Sequence, residues 1–268
     1  MKIIDSHLHF CPGYEYFDRT ALRAGHVNTE EHLRGTFKRL GITAGIVMGN
    51  HGITLEEHRY PDFLKYCIGL DSHFLAGNEI ASSYDLVEQH LRRSACVGVK
   101  LYPGYSPIYV SDRRYEPVYE LARAYHKPVA VHMGQTAGSN ALLKYSHPLT
   151  LDEVAVSHPG VQFVMCHMGN PWLMDAAAVI EKNENVVTDL SGLLEGKLDV
   201  AGFLEEQSGY LGVLKTWIAY ISDYSKFLFG TDWPLANYED YIGVTKKIIP
   251  EKHWDAVFSG NAERIYSL

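Results

Sequence analysis

Eight short apolar runs, separated by longer stretches with helical periodicity, constrain this chain more than any other feature. They fall at 3–7, 45–49, 66–70, 97–102, 128–133, 162–168, 186–190 and 227–230. The spacing of roughly 20 to 40 residues is that of a repeating βα unit. Phe163-Val164-Met165-Cys166 is apolar without a break. A half-exposed strand alternates, whereas an unbroken run suits a strand covered on both faces of a parallel sheet. The chain has 268 residues, close to the about 250 of a (β/α)8 barrel. No linker, repeat or low-complexity tract divides it. The expectation is an α/β TIM barrel in a single domain over 1–268, with short C-terminal helices.

The intervening segments carry helix signals. Asn28 with Glu31 reads as a capping box. Leu33, Phe37 and Leu40 then share a face, and Gly41 stops the helix. Ser83 opens a helix over 84–93, and 115–126 puts Val118, Leu121 and Ala122 on its apolar side. Thr150 and Glu153 cap a helix over 151–157. Asn170 and Pro171 open another that runs to Ile180. A helix broken near Gly209 and Gly212 lies within 201–222, and another covers 238–249. Short helices are expected within 254–268.

Composition excludes several classes. Hydrophobic residues at 46% and charged residues at 21% support a full core and argue against disorder. A net charge of −8 argues against a nucleic-acid partner, because phosphate binding needs a cationic surface. No apolar run approaches the ~18 residues of a membrane span. No basic-then-apolar leader precedes the first run, so a cytoplasmic protein is expected. Cys11, Cys67, Cys96 and Cys166 lack CxxC spacing and read as reduced, buried thiols.

In a closed parallel barrel, catalytic groups lie at the C-terminal ends of the strands. The first run ends in His7-Leu8-His9. Residues two apart on a strand share a face, with roots roughly 7 Å apart. Two imidazoles so placed can converge on one cation, with Ile4 and Leu8 turned to the helical shell. On an exposed strand the same pair would be solvated and idle. The metal reading gains from the other run ends: Lys100 closes the fourth, His132 the fifth, His167 the sixth and Asp232 the eighth. An ionisable group where a buried run stops is costly to desolvate unless paired or metal-bound. Imidazoles and a carboxylate suit zinc or a similar divalent ion, which acidifies a bound water. Asp232 could bind the ion and take the water's proton. His167 could polarise a carbonyl or protonate a leaving group.

Other residues have two readings each. Asp189 and Ser191 close the seventh run and line the pocket or support its ligands. Tyr102, Trp172 and Trp233 are candidate substrate-pocket walls, although both tryptophans also suit packing. Tyr105 flanks a Pro-Gly turn that could lie over the pocket. Arg113 and Arg114 could bind a carboxylate, but solvated helix-start residues are commoner. His51 and His73 follow the second and third runs. Asn261 suits bracing of a backbone turn.

The ordered set His7-Leu8-His9, His132, His167 and Asp232 resembles the amidohydrolase superfamily. Its wording is similar to the amidohydrolase-related branch, which holds aminocarboxymuconate-semialdehyde decarboxylase and resorcylate-type decarboxylases as well as hydrolases. The supporting phrases are Asp5-Ser6-His7-Leu8-His9, Gly98-Val99-Lys100-Leu101-Tyr102-Pro103, His167-Met168-Gly169, Gly230-Thr231-Asp232-Trp233-Pro234 and Gly260-Asn261-Ala262-Glu263-Arg264-Ile265-Tyr266. The resemblance implies a (β/α)8 barrel. It implies His7, His9, His132 and Asp232 as ligands of one divalent metal, with His167 a catalytic residue beside it. Zinc is the first expectation, with manganese or iron as alternatives. In two-metal relatives a lysine ending the fourth strand becomes a carbamate that bridges both ions. For Lys100 three readings stand: a cation for an anionic substrate group, such a carbamate, or a structural ion pair. The expected activity is hydrolysis of a small ester, lactone or amide by a metal-activated water. The alternative is non-oxidative decarboxylation of an unsaturated or aromatic carboxylic acid at the same site. The partner is then a small molecule, with no nucleic acid and no membrane. A homodimer is compatible with the base rate for soluble enzymes.

Overall fold

Eight parallel strands follow one another around the sheet in chain order in the computed structural model, which describes residues 1–70, 74 and 80–268. They are β1 (Ile3–Leu8), β2 (Ile42–Met48), β3 (Leu64–Leu70), β4 (Cys96–Leu101), β5 (Val129–Val131), β6 (Phe163–Met165), β7 (Val186–Asp189) and β8 (Phe227–Leu228). β8 meets β1 through the Ser6 N–H donating to the Phe229 carbonyl at 2.9 Å and the Asp232 N–H donating to the His7 carbonyl at 2.8 Å. A parallel bridge between Leu8 and Trp233 extends this seam. The expected TIM barrel is formed.

Helices Glu15–Arg23 and Glu30–Leu40 follow β1. Ile80–Leu91, Glu116–Ala124, Leu149–Ser157 and Leu173–Lys182 precede β4 to β7, and Val200–Glu206 with Ser208–Ile221 precede β8. Tyr238–Ile248 and Asn261–Tyr266 follow. Thr29, not Asn28, caps Glu30–Leu40, its side chain accepting from the His32 N–H. Asn28 instead donates to the Cys11 carbonyl at 2.8 Å and to Asp18 at 2.7 Å. Gly41 ends that helix in the left-handed region, φ 72°. The expected break within 201–222 occurs at Gln207 rather than at the glycines. Helix Leu173–Lys182 starts beyond the expected Asn170-Pro171 cap. β2 and β3 are joined by turns without a helix. His73 lies outside the described residues.

Parity in β1 departs from the expectation. The β1–β2 register shifts between Asp5 and Leu8. Such a bulge lets residues three apart face the same way. Ile4 therefore packs inside the barrel with Ile46, Met48, Cys67, Ala130, Val164 and Leu228, not against the shell. Leu8 stays in the outer core with Leu33 and Phe37. Burying each such Leu, Ile or Phe contributes roughly 1.5–3 kcal/mol.

Ala262, Ile265 and Tyr266 of the last helix join the inner cluster and stopper the barrel beside Pro128 and Gln162, where β5 and β6 begin. All four cysteines are free and buried. Among the described residues no helix is long and apolar enough to cross a membrane.

Candidate metal centre

The opposite end of the barrel is built from residues just past the strands. The chain turns sharply there: His167, Met168 and Asp232 have φ of 61°, 48° and 61°. Non-glycine residues visit this left-handed region at a cost, and such strain clusters at functional sites. It also explains why β6 and β8 stop short of the apolar runs. Gly192, φ 63°, makes room: a Cβ there would lie 2.7 Å from His167 Nδ1 and 3.3 Å from Asp232 Oδ2.

His7, His9 and Asp232 converge. His7 Nε2 lies 3.4 Å and His9 Nε2 3.1 Å from Asp232 Oδ1. The far nitrogens of both rings are committed elsewhere. His7 Nδ1 donates to Asp189 Oδ2 at 2.8 Å. His9 Nδ1 donates to the Met48 carbonyl at 3.1 Å and to Asn50 Oδ1. A neutral imidazole has one N–H, so each Nε2 presents a lone pair. Burial lowers His7 to about 4, against the pull of Asp189. Burial works to raise Asp232, yet the adjoining His9, His7 and His167 rings hold its carboxyl well below the usual range. Three acceptor atoms thus face one another in the protein interior. His7 Nε2 and Asp232 Oδ1 are buried without a hydrogen-bond partner. The arrangement repels itself unless a positive centre lies among the three atoms, and a divalent cation fits that donor set.

His132 stands outside this close group, which holds His7, His9 and Asp232 within 4.8 Å. Its Nδ1 lies 3.1 Å from His167 Nε2, and its own Nε2 is buried and partnerless. His167 sits 4.8 Å from His7, ring to ring. Burial pushes both His132 and His167 down. Lys100 is buried beneath them and donates to Cys166 Sγ at 2.8 Å. Among the described residues no carboxylate pairs with it, and its partner there is the Cys166 thiol. Asp189 also accepts from the His167 backbone N–H, the Ser191 N–H and the Ser191 hydroxyl at 2.8, 3.2 and 2.5 Å.

These groups floor a cavity of about 420 Å³. Its walls include Tyr16, Phe17, Asn50, His51, Tyr102, Tyr105 and Leu235. Tyr102 donates to the Gly49 carbonyl at 2.8 Å, and Tyr105 accepts from the Ala137 N–H at 2.8 Å. The Tyr102 hydroxyl proton is thereby used, whereas Tyr105 keeps its own to donate; both rings line the cavity. Of the expected walls, Tyr102 is in place and the two tryptophans are not. Trp233 is fully buried against Phe10 and His26. Trp172 packs on His147 and borders a separate recess with Gln135 and Leu143. Arg114 pairs with Asp112 on the surface. Asn261 braces its turn through the Tyr224 and Phe227 carbonyls.

Sequence reasoning passed over Asn50, Phe17 and Cys166. Asn50 follows the glycine that ends the second run, where no charged group draws the eye. Phe17 lies on a helix and carries no polar signal.

A family model described as Amidohydrolase matches residues 4–268. The chain belongs to the amidohydrolase family. It is thus a metal-dependent enzyme of the amidohydrolase superfamily, and its structural neighbours include hydrolases and decarboxylases. An amidohydrolase from Burkholderia multivorans with bound zinc has a TM-score of 0.69 at 16% identity, over 100% of both chains. 2,6-Dihydroxybenzoate decarboxylase with 2,6-dihydroxybenzoate gives 0.71 at 16%, over 100% of both chains. A manganese-bound 5-carboxyvanillate decarboxylase from Novosphingobium aromaticivorans gives 0.66 at 11%, over 100% of this chain and 97% of that one. At these identities the likeness to other amidohydrolase-family proteins is one of fold. No curated protein matches the sequence.

Proposed function

We propose that the protein is a metal-dependent hydrolase of a small, uncharged ester, lactone or amide. The observation that carries this reading is the convergence of His7 Nε2, His9 Nε2 and Asp232 Oδ1, two of them partnerless, at the floor of a cavity. These three residues would hold one divalent ion, with His132 Nε2 as the further ligand; zinc and manganese, present in two of the similar structures, are the candidates. When bound, the ion would supply a Lewis acid that polarises a carbonyl and eases proton loss from water. Asp232 takes the proton of the attacking water on its carboxylate and returns it to the leaving atom. Lys100, on the cavity floor, gives it a positive field that favours the negative charge developing on the carbonyl oxygen. The tyrosine and phenylalanine walls exclude water and pack against the acyl or ring portion. Among the described residues no arginine lines the cavity, which suits an uncharged substrate.

Decarboxylation is the second reading. Lys100 at the floor and flat aromatic walls would hold a planar arene carboxylate. A panel of lactones, esters, amides and aromatic acids, with carbon dioxide measured beside ring-opened or cleaved product, separates the two. Hydrolysis predicts product without carbon dioxide. Metal analysis of the same preparation is expected to give one ion per chain, falling sharply in His9→Ala; equal metal in both would remove the basis of the proposal.

A further inference from the structure

Asp189 closes β7 beneath the centre and is fully buried. Its carboxylate can only accept hydrogen bonds. Oδ2 takes the His7 Nδ1 proton at 2.8 Å. Oδ1 takes the Ser191 hydroxyl proton at 2.5 Å. A serine hydroxyl has one proton. Having given it to Asp189, Ser191 Oγ can only accept from His167 Nδ1, 2.9 Å away. The Ser191 carbonyl, also an obligate acceptor, lies 3.3 Å from the same nitrogen. Both contacts put the His167 proton on Nδ1.

The neutral His167 ring then has a lone pair on Nε2. His132 Nδ1, 3.1 Å from it, must donate. That leaves His132 Nε2 bare, and it is one of the buried atoms without a partner.

We propose that Asp189 is the positioning residue of the centre: it fixes the tautomer of His7 directly and that of His132 through Ser191 and His167, so histidines from two strands present bare Nε2 atoms. The geometry stands by itself; its consequence for metal affinity rests on the metal reading above. His167 is left with both ring nitrogens occupied. Its part is to hold His132, and proton transfer falls to Asp232.

The test is long-range proton–nitrogen NMR of the metal-free full chain carrying nitrogen-15 histidine, with signals assigned by single substitution. Wild type is expected to show His7, His132 and His167 protonated at Nδ1. An Nε2–H form at His7 or His132 overturns the proposal, and this readout needs no variant to fold. In Asp189→Asn the three donors around Oδ1 retain the amide oxygen, so the amide NH2 faces His7 Nδ1. His7 is then expected to switch to the Nε2–H form. Ser191→Ala keeps only the longer 3.3 Å carbonyl contact to His167 Nδ1 and is expected to leave His167 and His132 in mixed forms, and Ser191→Thr to restore them. Unchanged spectra in both Asp189→Asn and Ser191→Ala would overturn it. Titration with Zn2+ is expected to show 10–100-fold weaker binding in Asp189→Asn; equal affinity would count against the positioning role. If wild type binds neither Zn2+ nor Mn2+, the metal reading fails while the tautomer spectra still decide this inference.

Discussion

Asp232 shows how much one residue can be asked to do. Its backbone is held at φ 61°, its N–H donates to the His7 carbonyl, and its Oδ1 faces two imidazoles. Asp232→Asn keeps the shape and removes the proton acceptor. Turnover is expected to fall by about 10²–10⁴, the usual worth of a positioned acid or base. The thermal transition should stay within a few degrees of wild type. An Asn variant with full turnover would exclude the proton role; one that is unfolded would show that the residue is structural first.

At the scale of elements, imidazoles also hold connections in place. His90 Nε2–H donates to the Ile53 carbonyl at 3.0 Å, while its Nδ1 accepts from the Tyr66 hydroxyl at 2.8 Å. It thereby pins the β2–β3 connection that carries Asn50 and His51. His26 Nε2 accepts the Tyr238 N–H at 3.3 Å, at the start of helix Tyr238–Ile248. Each contact needs a neutral ring. Burial depresses both to about 4 from an ordinary 6.5. Below 6.5 the unfolded chain binds protons that the fold refuses, so their contribution is complete above pH 6.5 and lost as pH falls through 4. The urea midpoint is expected to drop steadily between those values. A flat midpoint would mean that neither ring is held neutral. The eight apolar runs and the polar groups closing them were legible, because burial on both faces leaves a sequence pattern. The inward turn of Ile4 was not, because a one-residue slip in register at Asp5 leaves no trace in composition. Trp233 misled for a related reason: adjacency to Asp232 in sequence says nothing about which side of a sharp turn a side chain takes. Cys166 as the Lys100 partner required knowing that β4 and β6, which are not neighbours, turn these two side chains toward each other.

For the whole molecule, the decisive fact is where the site sits relative to closure of the barrel. His7 lies in β1 and His9 just past its end, and Asp232 follows β8 across the seam. A cation held by all three would tie the two edge strands together. At a hundredfold excess over its dissociation constant, such a ligand adds about 2.7 kcal/mol, or roughly 5–10 °C in melting temperature for a domain of this size. Melting in a chelator and after readdition of Zn2+ or Mn2+ measures this; identical curves would show that nothing bridges the edges. The seam has a wider consequence. Asp232 is brought to His7 only when the sheet has curled fully round, so no half of the protein can hold these ligands. Catalytic competence, on this plan, doubles as a certificate of completed assembly, and a nick that lets the edge strands part would disarm the enzyme without touching a single reactive group.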